Sequence, residues 1–116
     1  MMMKEQKNQT FNDGIVKIYG LKNIAEEGLR PVVKPCFKEV LRFRERTVGI
    51  TRYNLNLQNN AKIDRLLRVQ TRRNISTQDI AVVNGEQYVI KQVQYIENLD
   101  VMDLSLERIE QDYDLD

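Results

Sequence analysis

Histidine is missing from this chain, and cysteine occurs once, at Cys36. Ser-His-Asp and Cys-His catalysis therefore fall away, as do zinc sites of the Cys/His type. A single cysteine allows no intramolecular disulfide and fits a reducing compartment better than a secreted one. No apolar run approaches the roughly 20 residues that span a bilayer, and the opening MMMKEQKNQT lacks the apolar region of a secretory signal. Neither a phosphate-cradling glycine loop nor calcium-loop spacing is present. Carboxylate-only metal sites and lysine or aspartate chemistry stay formally open. The expectation is a protein that is not an enzyme, with no cofactor, no metal and no membrane partner.

What is present is charge, sorted by position. The net charge is +1 over 116 residues. Residues 34–73 carry eleven Lys/Arg against Glu39, Glu45 and Asp64, a balance of +8. Residues 79–116 carry ten acids against Lys91 and Arg108, a balance of −8. Such a chain can fold its halves against each other. Alternatively, it can offer a basic flank to the acidic flank of the next copy, a heterologous contact that closes into a ring.

The strongest local signal is Asn84-Gly85 between two β-branched runs, 80–83 and 88–96. Asn-Gly accepts the positive φ of a type I′ turn at low cost, so the spacing predicts a hairpin. Its register sets Val83 opposite Glu86, Val82 opposite Gln87, Ala81 opposite Tyr88 and Ile80 opposite Val89. The alternation slips after Ile90, which predicts either two partly covered faces or a bulge near Lys91-Gln92.

Other strands are read from alternation. Ile15–Tyr19 is a short strand entered from the turn Phe11–Gly14, and residues 20–35, with two Gly and two Pro, form a long connection. Phe37–Val48 alternates so that Leu41 and Phe43 share one face with Phe37, while Arg42, Arg44 and Arg46 occupy the other. The plain reading of that comb is a solvated face. The functional one is a basic stripe facing an anion or a neighbouring subunit, because each guanidinium fork can bind phosphate or carboxylate bidentately. Residues 49–61 are rich in Asn and favour a projecting loop. There, Leu55 and Leu57 tuck underneath or, with Tyr53, mark a contact surface beside Arg52. Lys62–Val69 is open to two readings: Ile63, Leu66 and Leu67 fit a helix face, while Ile63, Leu67 and Val69 fit a strand with Arg65 as the exception. The strand is preferred because Phe37–Val48 needs a partner. Residues 75–79 suggest a capped single turn, and Met102–Arg108 a half-buried last strand.

The expected fold is all-β, a small barrel or sandwich of five or six strands with a long inserted loop. Its expected divisions are a flexible N-terminus at 1–10, a single domain at 11–110 with the loop at 49–61, and an acidic tail at 111–116.

The order LRFRERTVG, RYN, IDRLLRV, ISTQDIAVVNGEQYVIKQVQYIEN and DLSLERIE, over residues 37–110, resembles the small head–tail connector proteins of tailed bacteriophages, also called head–tail joining, head-closure or stopper proteins. These are loose motifs, and the likeness rests on their order. It implies a small β-barrel with an inserted loop, here Gly49–Ala61, assembled as a homo-oligomeric ring beneath the portal of a DNA-filled capsid. Such rings extend the DNA channel, bridge the portal or adaptor to the tail, and in some members close the channel. Implied partners are portal or adaptor proteins, tail proteins and duplex DNA held without sequence preference. The implied location is the virion neck, reached from the host cytoplasm. No catalytic residue is implied. Arg42, Arg44, Arg46, Arg52, Tyr53, Leu55 and Leu57 are the candidates for channel or intersubunit contact. A tail-completion ring subunit and a small nucleic-acid-binding β module are the alternatives.

Overall fold

The computed structural model describes residues 10–23, 25, 28–29, 32–46 and 63–115. Six strands carry nearly all of its regular structure: β1 (Gly14–Asn23), β2 (Val33–Arg46), β3 (Arg65–Gln70), β4 (Ile80–Val83), β5 (Glu86–Ile96) and β6 (Val101–Arg108). A single 3-10 turn, Glu97–Leu99, joins β5 to β6, and the described residues contain no α-helix. All neighbours are antiparallel, and the order β1-β2-β3-β6-β5-β4 returns to β1, so the sheet closes into a small barrel. Closure removes most of the sheet edge that a flat six-stranded sheet would leave open.

The Asn-Gly hairpin forms with the expected register, Val83 opposite Glu86 through Ile80 opposite Val89. Asn84 and Gly85 both adopt positive φ, 53° and 82°. The register shifts between Ile90 and Gln92, which is the bulge anticipated from the broken alternation. No atom would crowd a Cβ on Gly85, so a side chain there meets only backbone strain. Gly85→Ala is expected to cost about 1–2 kcal/mol, read as a lower urea midpoint with an unchanged slope.

The interior is one apolar cluster. Val16 and Ile18 of β1 meet Leu41 and Phe43 of β2, Leu67 and Val69 of β3, Ala81 and Val83 of β4, Tyr88 and Ile90 of β5, and Met102, Leu104 and Leu106 of β6. Period-2 alternation delivers these side chains inward from every strand. Inward side chains from all six strands therefore fill the interior of the barrel.

Residues 75–79 form the expected capped turn, tied by one carboxylate. Asp79 Oδ2 accepts from the Ser76 N–H at 2.9 Å, while the Asp79 N–H donates to Ser76 O. The same carboxylate takes Lys38 Nζ at 2.7 Å, and Lys38 also donates to Asn74 O.

Several expectations need correcting. The connection after Ile15–Tyr19 is shorter than residues 20–35, because β1 continues to Asn23 and β2 begins at Val33. Phe37 does not share the inward face of Leu41 and Phe43. Ile18 faces Glu39 but Tyr19 faces Phe37, so Lys38 is an extra residue in β2 and the face flips across this bulge. Phe37 is turned outward, edge-on to Tyr19 with ring centroids 5.6 Å apart. The Lys38 stem instead lies over Gly20, where a Cβ would come within 2.7 Å of its Cε. The last strand is not half buried: Asp103 and Ser105 are as enclosed as Met102 and Leu104. The acidic end is not simply solvated either, because Tyr113 exchanges two backbone hydrogen bonds of 2.8 Å with the Gln87 side chain. The expectation of a flexible start at 1–10 lies, but for Thr10, outside the described residues, and that of a projecting loop at 49–61 lies wholly outside them.

Among the described residues β1 pairs with β4 over Val16–Tyr19, and β2 pairs with β3 over Arg44–Arg46. Towards Asn23 and Val33, beyond these limits, the described residues of β1 and β2 pair with each other as a two-stranded arm. The Asn23 side chain closes its tip by accepting the N–H groups of Ala25 and Val32, each at 3.0 Å.

Candidate functional surface

The arginine comb sits on the outer face of β2, as its alternation predicts, but its three members have different surroundings. Arg42 and Arg44 are exposed and form no ion pair among the described residues. Arg46 is half-buried and donates to Asp103 Oδ2 at 3.3 Å. Arg52, Tyr53, Leu55 and Leu57 lie outside the described residues.

Cross-strand register explains why Arg46 is occupied. On the outer surface Arg44 faces Arg68, Arg68 faces Asp103, and Asp103 faces Gln94. Arg68 grips Asp103 with both prongs, Nε to Oδ1 at 2.8 Å and Nη2 to Oδ2 at 3.2 Å. The Asp103 side chain is 0% exposed and that of Arg68 only 12%. One carboxylate thus answers two guanidinium groups. This buried cluster is structural, and it consumes part of the basic half of the sequence.

A second group of charges closes one end of the barrel. Arg65, the exception in the strand reading, faces inward at the mouth. Its guanidinium lies 5.9 Å from the Phe43 ring centroid and 5.7 Å from that of Tyr88. It also forms a two-pronged pair with Glu45. This pair, mainly through its hydrogen bond, pushes the Arg65 pKa up, so the cation persists at any working pH. Arg108 stands 6.0 Å from the same Tyr88 ring, and the Tyr88 hydroxyl lies 3.0 Å from Glu86 Oε1. Apolar core, aromatic floor and ionic lid follow one another at this end.

The outer face of β1 and β2 is unusual for its apolar content. Ile15 is 55% exposed, Phe37 57% and Val40 51%, and Leu21 and Val33 continue the patch along the arm. Lys17, exposed between Ile15 and Tyr19, adds a third cation to Arg42 and Arg44. The sequence did place Ile15, Lys17 and Tyr19 on one face. It gave no sign that this face looks outward, because both faces of β1 carry apolar residues. A hollow of about 250 Å³ between Phe11, Asn12, Gly14, Ile15 and Arg42 opens at the barrel end of the patch.

The described residues hold no cluster of three Cys, Asp or Glu side chains able to bind a metal ion. None of their helices is long and apolar enough to cross a membrane. The class defined by fold and surface is a small closed antiparallel β-barrel with a projecting arm, a basic and apolar outer face, and an acidic opposite side. No family model matches the chain, and no curated protein matches its sequence.

Proposed function

We propose that the chain is a structural subunit of a head–tail connector ring in a tailed bacteriophage, joining the portal or its adaptor to the tail and helping to extend or close the DNA channel. The observation that carries this reading is the unpaired basic face of Lys17, Arg42 and Arg44 on a solid barrel. A barrel filled with side chains admits no duplex, so a passage has to be built by several copies standing around it. The subunit then works by shape and charge, without a chemical step or cofactor. Its cations meet either the acidic flank of the next copy or the phosphates of duplex DNA, and phosphate contacts carry no sequence information. The resemblance over residues 37–110 supports the same reading, and the place of action is the virion neck.

Arg42→Glu with Arg44→Glu tests it. Arg46 is left intact because it pairs with buried Asp103. Both substituted side chains are exposed, so the melting temperature should stay within a few degrees of the parent's. Particles made with the variant should lack the protein and either leak DNA or fail to gain tails. Normal incorporation and infectivity would end the proposal. A basic face also suits a free-standing nucleic-acid module. For that reading, duplex affinity of the isolated chain would fall steeply with salt, by close to one power of salt concentration per phosphate neutralised.

A further inference from the structure

We infer that the outer face of the β1–β2 arm is a docking surface for a second copy of this chain, which presents to it the acidic side formed by residues 107–115. The inference rests on the ring reading only in naming a copy as the partner. Six apolar side chains lie on one face here: Ile15, Tyr19, Leu21, Val33, Phe37 and Val40. Cross-strand pairing aligns Tyr19 with Phe37, and the same face continues through Leu21 opposite Pro35 and Asn23 opposite Val33. Among the described residues no strand lies on the β3 side of residues 33–43. A contiguous apolar face of this kind on a closed barrel marks a place of contact.

Charge identifies what fits there. The charged side chains on the outer face of β1 and of β2 up to Arg44 are Lys17, Arg42 and Arg44, all basic. Two arms meeting face to face would set these cations against one another, so a symmetric arm-to-arm contact is disfavoured. The fitting partner is apolar and acidic. The chain supplies such a surface itself: Ile109, Tyr113 and Leu115 are half-buried among exposed Glu110, Asp112 and Asp114. The Gln87 side chain fixes this segment to β5, and Asp112 is paired with Arg108 at 2.9 Å. In the barrel order, β3 separates β2 from β6 on one side and β4 separates β1 from β5 on the other. The two complementary surfaces therefore lie on opposite sides of one subunit. A contact between them is heterologous and repeats from copy to copy.

The test uses the full chain and two variants, each blocking one surface. Phe37→Glu with Val40→Glu places acids on the arm at exposed positions. Glu110→Lys with Asp112→Lys reverses the opposite side. Sedimentation velocity and native mass measurement at low salt should show concentration-dependent association of the parent. Each variant alone should associate about tenfold more weakly or worse. An equimolar mixture should form a one-to-one pair and stop, because the Glu110→Lys/Asp112→Lys chain keeps an arm and the Phe37→Glu/Val40→Glu chain keeps an acidic side. A parent that stays monomeric throughout, variants that associate like the parent, or a mixture that stays unpaired would each overturn the inference. A chain that associates in this way yet is dispensable for phage particles sinks the connector proposal and leaves this one standing.

Discussion

Asp103→Ala is expected to lower the stability of the barrel by about 3–5 kcal/mol, a large fraction of what a domain of this size possesses. The carboxylate is fully enclosed, and its removal leaves Arg68, itself 12% exposed, with no counter-charge and two unsatisfied prongs. Removing one member of a buried pair costs more than the pair contributes, because the other charge remains desolvated. Arg46→Ala should be far milder, about 1 kcal/mol or less, since Asp103 keeps both prongs of Arg68 and the pair that is lost is partly exposed. Asp103→Asn keeps the shape and one acceptor and should fall between the two. Urea unfolding of the three variants reads the order directly. An Asp103→Ala protein within 1 kcal/mol of the parent would mean that the flank relaxes and lets water in.

That cluster also shows where sequence reading stops. Asp103, Ser105 and Glu107 alternate with Met102, Leu104 and Leu106, and polar residues on one face of a strand usually mean water. Here Arg68, the neighbour across the register on β3, grips the carboxylate of Asp103 with both prongs, and the side chain is enclosed. Which strands lie beside β6 is set by barrel closure, a long-range fact that no local window contains. The Asn84-Gly85 hairpin was legible because its information is local: turn chemistry fixes the register, and the broken alternation betrays the bulge. Phe37 was misplaced for the converse reason. One extra residue, Lys38, flips the face, and the cause is a lysine reaching Asn74 and Asp79, 36 and 41 positions along the chain. Arg65 broke the strand pattern for a reason visible only in three dimensions, since an inward position at the barrel mouth can hold a cation over aromatic rings.

The candidate surface was legible to the same degree. Alternation alone put Arg42 and Arg44 outside, because Leu41 and Phe43 had to go in. It could not reveal that Arg46 is engaged by a buried acid, or that Ile15 and Val40 stand exposed beside the comb. The charge division between the two halves of the sequence survives folding only partly. Arg68 and Arg46 are drawn onto Asp103, Lys38 onto Asp79 and Arg73 onto Glu97. Of the cations without an ion pair among the described residues, Lys17, Arg42 and Arg44 share the outer face of β1 and β2 and carry the functional proposal, while Lys22 and Lys34 stand on the other face of the arm.

Phe43→Ala should cost about 3–5 kcal/mol through two separable effects. The ring is 2% exposed and fills the barrel beneath Gly14, where even a Cβ would come within 3.0 Å of it. Deleting it leaves a cavity between strands that are already hydrogen-bonded and have little room to collapse. It also takes away one of the two rings under the Arg65 guanidinium, so the ionic lid with Glu45 sits over a void. Phe43→Leu keeps most of the volume and should recover more than half of the loss, with the stacking contribution still missing. A double-mutant cycle between Phe43→Leu and Arg65→Met isolates that contribution, and about 0.5–1 kcal/mol of coupling is expected for a cation partly exposed over a ring. Zero coupling would mean that Arg65 is held by Glu45 and Tyr88 alone. In that case the aromatic floor closes the barrel end by packing, with the lid resting on it as an independent ion pair.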